Sequence, residues 1–290
     1  MILYILRNKT KEKSGRSKDV ITSDCHMHTS FSTDSSTAPE EMIEGALKKG
    51  LKAICITDHM DWDYPFTEEL GKDAFLFDTD AYVQKLTELR GQYAGRIEVR
   101  IGIELGLQPH AGAFCREITE KYPFDFVIGS IHVVNKKDPY YRDLFADLSD
   151  RELYRLAFEE TLESIRHTDS FDVLGHIDYI VRYGTYKEKE YSYEAFSSCL
   201  DAVLKQIIEM GKGIELNSAG LKYGLGFCHP HPEVLRRYRE LGGEIITVGA
   251  DGHKPEHIAY EFGRAAEILR ECGFEYYTEF LERKPVFRKL

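Results

Sequence analysis

Short apolar runs and longer runs with helical periodicity alternate along most of the chain. The stretch ITSDCHMH, residues 21–28, is interpreted as a first strand, in which side chains alternate between two faces. Residues 39–49 then predict a helix, with Pro39 and acids at its start, lysines at its end and Gly50 directly after it. The same order of strand and helix repeats down the chain.

Seven strands and seven helices follow from these repeats. The predicted strands are residues 21–27, 51–57, 98–104, 124–131, 171–175, 213–216 and 244–249. The predicted helices are residues 39–49, 78–94, 110–121, 149–167, 192–210, 232–241 and 256–271. An insertion over residues 60–77 carries the only tryptophan, and the tail EYYTEFLERKPVFRKL predicts a final edge hairpin.

This alternation indicates an α/β fold, in which a parallel sheet is covered by helices. Seven units favour a closed or nearly closed barrel, although periodicity alone leaves an open doubly wound sheet as an alternative. The sequence has no GxGxxG after the first strand, no GxxxxGK[ST] and no GxSxG. Dinucleotide-binding, P-loop and serine-hydrolase interpretations therefore have no motif to support them.

Composition narrows the class of function. The chain has 290 residues and a formal net charge of −11. This charge argues against a protein that binds nucleic acid through a broad basic surface and favours one that binds a small substrate. Six scattered cysteines without a C-x-x-C indicate a reduced, cytoplasmic protein, and no apolar run is long enough to cross a membrane. Residues 1–18 are predicted to be a poorly ordered extension, and residues 19–290 a single domain.

Metal-ligating residue types follow most of the predicted strands. In a parallel barrel the carboxyl ends of all strands lie on one face, where active sites are built. The residues collected there are His26, His28, Asp58, His59, Glu104, His132, His176, Asn217, Asp251 and His253. Burying imidazoles and carboxylates so densely costs free energy, and because hardly any Lys or Arg lies among them, divalent cations are the best way to offset that cost. We interpret them as a multinuclear metal site for zinc, manganese or iron.

The motifs DCHMHTSFSTD, ITDH, GIEL, SIH, GHID, ELN and GADGH, in this order, resemble the PHP (polymerase and histidinol phosphatase) superfamily from residue 21 to residue 290. The segments GSIHVV, GHIDYIVRYG, NSAGLKYGLG and RKPVFRKL resemble its histidinol-phosphate phosphatase branch. The resemblance implies a distorted (β/α)7 TIM-like barrel with a trinuclear metal site at the carboxyl ends of the strands. It also implies a phosphomonoester hydrolase that converts L-histidinol phosphate to L-histidinol in histidine biosynthesis.

The same resemblance implies three groups of metal ligands. His26, His28 and Asp251 would hold the first ion. Glu104 would bridge it to a second ion held by His132 and His176. Asp34, His59 and His253 would hold the third, although Asp34 has an alternative interpretation as an ordinary loop acid. Glu104, Asp251, His253 and Arg182 are the predicted catalytic residues. A water molecule activated by metal would attack phosphorus directly, without a phosphoenzyme.

Four residues are predicted to contact the substrate. Arg182 would clamp the phosphate through its planar fork of donors, and Lys222 is a second cation for the same purpose. Asn217 either orients the substrate or caps a turn. His229, in the loop FCHPHPE, is expected to be exposed or to cap a helix, with a position above the substrate as the alternative.

Further interpretations concern neighbouring residues and rival activities. Asp24 and Asp58 are expected to accept hydrogen bonds that fix imidazole tautomers. Aromatic residues near Trp62 are interpreted either as a lid or as a cover for a small satellite core. The rival functions are a PHP-type phosphoesterase or exonuclease acting on nucleotides or nucleic acid, and a metal-binding domain without catalysis.

Overall fold

The computed structural model describes residues 21–290 and contains one parallel sheet in the order β1-β2-β4-β5-β6-β7-β8, with β3 as a short addition beside β4. The strands are β1 Ser23–Asp24, β2 Ala53–Ile56, β3 His59–Met60, β4 Glu98–Gly106, β5 Phe126–Ser130, β6 Val173–Leu174, β7 Gly213–Asn217 and β8 Ile246–Gly249. Every pairing in this sheet is parallel. The predicted α/β fold is confirmed.

Eight α-helices accompany these strands within residues 21–290. They are α1 Pro39–Lys48, α2 Thr79–Gln92, α3 Gly112–Lys121, α4 Asp150–His167, α5 Tyr193–Glu209, the short α6 Ala219–Lys222, α7 Pro232–Glu240 and α8 Phe262–Glu271. Side chains that cap the helix starts explain several boundaries. For example, Ser149 accepts a hydrogen bond from the Glu152 amide, and the Glu152 carboxylate accepts one from the Ser149 amide. None of the described helices has the length and apolar composition that a bilayer crossing requires.

The first and last strands of the sheet meet, so the sheet curls into a nearly closed barrel. Met27 forms a parallel bridge with Gly252, and the Cys25 amide donates to the Val248 carbonyl at 3.1 Å. These contacts rule out the open sheet. The observed strand β1 is shorter than the predicted strand over residues 21–27, although the Met27 carbonyl still accepts the Thr57 amide at 2.9 Å beyond its end. At the end of β1 the Asp24 carboxylate accepts three backbone N–H groups, from His26, Ala250 and Ala259.

The last barrel helix, α8, begins later than residue 256. A 3-10 helix over Pro255–His257 comes first, and then Ala259 and Glu261 adopt positive φ angles of 49° and 52°. This segment is held as a loop by contacts distant in sequence. The Asp24 carboxylate accepts the Ala259 amide, and the Lys49 ammonium donates to the carbonyls of residues 256 and 258. Tertiary contacts therefore override the helical pattern there.

The chain terminus forms the predicted antiparallel hairpin, from β9 Tyr276–Leu281 and β10 Lys284–Lys289. Its predicted place at the edge of the sheet is wrong, since it forms a separate sheet that covers the amino ends of the barrel strands. Phe280 stacks on Phe126 at 5.1 Å between ring centroids. Glu279 accepts hydrogen bonds from Ser23 Oγ at 2.7 Å and from an Arg100 guanidinium nitrogen at 2.9 Å. The opposite end of the barrel is left for the site. The predicted extension over residues 1–18 lies outside the described residues.

Candidate metal centre

Glu104 lies at the middle of the carboxyl-end face, and five imidazoles surround it. It is part of β4, and its side chain is fully buried. Its Oε2 atom lies 3.2 Å from His26 Nε2, 3.5 Å from His28 Nε2 and 3.0 Å from His59 Nδ1. Its Oε1 atom lies 2.9 Å from His176 Nε2 and 3.3 Å from His132 Nε2. The two oxygens thus face different histidines, as a carboxylate that bridges two cations would.

His26 and His28 point to the same side because they are two residues apart in extended backbone. Their Nε2 atoms are 3.1 Å apart. Asp251 approaches them from the loop after β8, with Oδ1 3.3 Å from His28 Nε2 and 3.9 Å from His26 Nε2. Asp251 reaches this position with a positive φ of 52°. The strained backbone indicates that the surrounding structure fixes this carboxylate at the site.

A third group lies nearer the solvent. Asp34 Oδ2 is 3.0 Å from His253 Nε2 and 3.6 Å from His59 Nε2. The side chain of Asp34 is 41% exposed, whereas that of His59 is 11% exposed. Asp34 is therefore more than an ordinary loop acid, since its carboxylate meets two imidazoles of the cluster. All nine predicted ligands come together at one face.

The electrostatics of this cluster fit a group of cations. Glu104 Oε2 and His59 Nδ1 are buried without hydrogen-bond partners. Within residues 21–290, the side-chain ion-pair partners of Glu104 and Asp251 are all imidazoles. Burial lowers the pKa of His28 to about 3, assisted by the nearby charges of His59 and His253. At His132, burial is outweighed by nearby carboxylates, which raise the pKa of the ring to about 10. Imidazole nitrogens and carboxylate oxygens that converge in this way are the donor set that divalent metals require.

Four subsets of the cluster have ligand atoms within 4.8 Å of one another. They are His26, His28 and Glu104; His59, Glu104 and His132; His26, His176 and Asp251; and His28, His59 and His253. These subsets share members, so the cluster is continuous and suits several adjacent ions. Because the ligands are nitrogen and oxygen atoms without thiolates, zinc, manganese and iron all fit.

The sequence model of the PHP domain family matches residues 24–219. This chain belongs to the PHP domain family. A probable histidinol-phosphatase of Clostridium acetobutylicum is 34% identical over 91% of this chain and 95% of that protein. The histidinol-phosphatase of Lactococcus lactis is 28% identical over 89% of this chain and 93% of its own length.

Among solved structures, histidinol phosphate phosphatase from Lactococcus lactis, complexed with zinc, L-histidinol and phosphate, resembles this PHP domain closely. The TM-score is 0.82 and the sequence identity 25%, over 91% of this chain and 98% of that chain. The likeness confirms the TIM-like barrel of the PHP type.

Two carboxylates orient the metal-site imidazoles of this PHP domain, and the sequence analysis did not identify either. His26 Nδ1 donates to Glu215 Oε1, and His132 Nδ1 donates to Asp61 Oδ2, each at 2.7 Å. Both bonds leave Nε2 of the ring facing Glu104. Such carboxylate–imidazole pairs fix the tautomer and raise the basicity of a ligand. Residue spacing could have identified them, since Glu215 precedes Asn217 by two positions and Asp61 follows His59 by two.

The tautomer role predicted for Asp24 and Asp58 is wrong. Within residues 21–290, the hydrogen bonds that the Asp24 carboxylate accepts all come from backbone N–H groups. Asp58 accepts hydrogen bonds from the backbone and hydroxyl groups of Thr29 and Ser32. It thereby fixes the loop after His28, and Ser32 Oγ in turn lies 3.3 Å from His28 Nδ1. These two acids hold the backbone that carries the predicted ligands, and in the described part of the chain neither accepts a hydrogen bond from an imidazole ring.

Arg182 and Lys222 lie on one side of the cluster. The Arg182 guanidinium carbon is 3.6 Å from the centre of the Tyr223 ring, and the Lys222 ammonium is 4.9 Å from the same centre. The Lys222 ammonium also donates to the Asp251 carbonyl at 3.4 Å. Within residues 21–290, Arg182 forms no ion pair with a carboxylate, and it lines a cavity together with His59 and His132. Two cations thus stand beside the predicted metal site.

Asn217 and His229 are paired through their backbones at the end of β7. The Asn217 amide nitrogen donates to Glu215 Oε2 at 3.2 Å and to Asp251 Oδ2 at 3.4 Å, and its oxygen accepts the Ala219 amide at 2.9 Å. The last bond fits the turn-capping alternative. The expected exposure of His229 is wrong, since its side chain is 1% exposed. Asp178 explains this burial, because His229 Nδ1 donates to Asp178 Oδ1 at 2.6 Å.

Residues of the insertion over 60–77 divide between the two predicted roles. Trp62 packs on Phe114, with 5.9 Å between ring centroids, and so covers an apolar residue outside the site. Tyr64 and Phe75, by contrast, line the cavity beside His59. The ring centroid of Phe75 is 5.5 Å from that of His59. Part of the insertion therefore forms a wall of the site.

Proposed function

We propose that this chain is a metal-dependent phosphomonoesterase that hydrolyses L-histidinol phosphate to L-histidinol and phosphate. The observation that carries the proposal is the cluster of nine predicted metal ligands, six of them buried, beside Arg182, which forms no ion pair within residues 21–290. The same barrel in Lactococcus lactis is a histidinol phosphate phosphatase that binds zinc, L-histidinol and phosphate. Divalent ions are accordingly the cofactor, with zinc as the first candidate.

Each ligand group has a proposed task. His26, His28 and Asp251 would hold the first ion, His132 and His176 the second, and Asp34, His59 and His253 the third, with Glu104 between the first two. Divalent ions would neutralise the phosphoryl oxygens and supply a hydroxide nucleophile at neutral pH. Glu215 and Asp61 keep the rings of His26 and His132 aligned during turnover.

Arg182 would bind the phosphate through two parallel N–H donors, and Lys222 would contribute a point charge from the same side. The Tyr179, Tyr183 and Tyr223 rings surround the Arg182 guanidinium at 5.2, 5.4 and 3.6 Å from their centres. Packing against these rings limits the rotamers of Arg182 before substrate arrives. A guanidinium positioned in advance costs less conformational entropy when it binds phosphate.

The experiment that tests the proposal is a comparison of substrates with the purified, zinc-loaded protein. We expect the highest kcat/KM for L-histidinol phosphate among phosphomonoesters, and no degradation of single-stranded DNA. Removal of the metals by a chelator should abolish phosphate release, and zinc should restore it. Equal activity on all monoesters would remove the histidinol assignment. Activity confined to DNA would favour the exonuclease, and activity that survives complete removal of metal would overturn the mechanism.

The cellular setting is part of the same proposal. All six cysteines are free, and all except Cys199 are buried. Free cysteines fit a reducing compartment. We therefore place the protein in the cytoplasm, where its proposed product would serve histidine biosynthesis.

A further inference from the structure

A cavity of about 300 Å³ adjoins the metal centre. Its lining includes the predicted metal ligands Asp34, His59 and His132, and also Arg182. Other lining residues come from the insertion over residues 60–77, from the loop after β5 and from the segment after β6, among them Tyr64, Asp138 and Tyr179. The volume lies at the small end of the range for pockets that bind small molecules. Such a cavity suits the alcohol part of a phosphate ester whose phosphate lies at the predicted metal site.

Asp138 is a nearly buried carboxylate without a cationic partner. It is 8% exposed. Its Oδ2 accepts a hydrogen bond from the Tyr64 hydroxyl at 2.6 Å, and its Oδ1 accepts the Tyr140 amide at 2.8 Å. In the part of the chain that the structure describes, no Lys, Arg or His nitrogen lies within 4.0 Å of it. Buried carboxylates are seldom left without an opposite charge. The missing charge is therefore expected on the ligand.

A short series of contacts connects Asp138 to the metal centre. The His59 ring lies 5.5 Å from the Phe75 ring, and Phe75 lies 4.5 Å from the Tyr64 ring, whose hydroxyl reaches Asp138. The lining of this one cavity thus combines groups that bind opposite charges. The predicted metal ligands and Arg182 suit an anion, and Asp138 suits a cation. A phosphate ester with a positively charged group on its alcohol matches both.

We propose that Asp138, oriented by Tyr64, binds the ammonium group of the substrate and so selects phosphate esters of amino alcohols. This inference rests on the proposed function, since L-histidinol phosphate carries an ammonium group beside its ester carbon. The imidazole of that substrate is the other basic group. With an ordinary pKa of about 6.5, it is mostly neutral at pH 7, whereas an aliphatic ammonium stays charged. The ammonium is therefore the group that we assign to Asp138.

Three substrates test the proposal with the zinc-loaded enzyme. They are L-histidinol phosphate, its analogue without the amine, 3-(imidazol-4-yl)propyl phosphate, and L-phenylalaninol phosphate, which keeps the amine and lacks the imidazole. The wild-type enzyme should prefer both amine-bearing esters to the amine-free one. In Asp138→Asn the ratio of kcat/KM for L-histidinol phosphate to that for its amine-free analogue should fall about 30-fold. Calorimetry should show the same loss of discrimination between L-histidinol and its amine-free analogue.

Two further variants make the test independent of Asp138→Asn folding. Tyr64→Phe keeps the ring but removes the hydroxyl that orients Asp138, and it should lower the same ratio by a smaller factor. Glu68→Gln changes an exposed acid of the same insertion that does not line the cavity, and its ratio should equal that of the wild type.

The outcomes separate this inference from the proposed function. Equal wild-type hydrolysis of L-histidinol phosphate and its amine-free analogue would overturn the role of Asp138 and leave the phosphatase assignment intact. An unchanged ratio in folded, metal-loaded Asp138→Asn would do the same. Hydrolysis of L-phenylalaninol phosphate with none of L-histidinol phosphate would remove the histidinol assignment and support the ammonium site.

Discussion

Asp61 gives the sharpest test of how the metal ligands are held. Its Oδ2 atom accepts the His132 Nδ1 proton at 2.7 Å, and its side chain is 3% exposed. This bond directs His132 Nε2 toward Glu104 Oε1, 3.3 Å away. Asp61→Asn keeps the shape of the side chain and removes the charge. The ring then loses its charged acceptor and some of its basicity as a ligand.

Carboxylates that orient a metal-ligating histidine typically contribute a factor of about 10 to 100 in metal affinity, or about 1.4–2.8 kcal/mol. We expect Asp61→Asn to weaken the binding of at least one zinc ion by that factor. A competition titration of metal-free protein against a chromogenic chelator measures the change. The bond is buried, so the effect should persist at high salt.

The matched control is Asp63→Asn. Asp63 also accepts a histidine proton, from His110 Nε2 at 2.8 Å, but this pair lies at the surface, with 58% of the Asp63 side chain exposed. Its zinc affinity should equal that of the wild type. If Asp61→Asn also bound every zinc ion as tightly as the wild type, our account of ligand orientation would be refuted.

Three other substitutions test the phosphate clamp, the space around a ligand and the cover of the barrel. Arg182→Ala should lower kcat/KM about 10- to 100-fold, the usual loss for a hydrogen bond to a charged group, and Arg182→Lys should recover part of it; unchanged steady-state kinetics would exclude the clamp. The added methyl group in Gly249→Ala would lie 2.3 Å from His26 Cβ and displace that predicted ligand, so the zinc content of the purified protein should fall. The control Gly91→Ala places its methyl group where no atom lies within 4 Å, and its zinc content should equal that of the wild type. Burial raises the pKa of Glu279, but hydrogen bonds and charges from Ser23 and Arg100 outweigh it, so the pKa is lower than usual. The contribution of Glu279 to stability is therefore lost as the pH falls below about 4.5. In urea titrations the free energy of unfolding of Glu279→Gln should fall less steeply with acid than that of the wild type, and equal slopes would contradict this.

The sequence predicted the barrel and its metal face because both depend on local patterns. Glu104, for example, lies within an apolar strand, and His132 and His176 each follow the end of one. In a parallel barrel the carboxyl ends of all strands lie on one face, so these residues can be predicted to lie together without knowing any contact between distant residues. Eight of the nine predicted ligands could therefore be identified before their distances were known, whereas Asp34 was implied only by the resemblance to the PHP superfamily.

The errors concern contacts between residues far apart in the sequence. His229 is buried because Asp178, 51 positions earlier, accepts its Nδ1 proton. The terminal hairpin covers the barrel because Glu279 meets Ser23, 256 positions away. Neither contact produces a hydrophobic periodicity that could be recognised in the sequence. Glu215 is different, because it lies two positions before Asn217 in β7 and so occupies the same face of that strand, a local pattern that the run GIELN contains.

The central claim is that nine dispersed side chains hold a cluster of three divalent ions, and metal analysis tests it most directly. After zinc loading and dialysis, elemental analysis should find about three ions per folded chain, and Glu104→Gln should bind fewer because the shared carboxylate is gone. One ion or none bound to folded wild-type protein at saturating zinc would contradict the account.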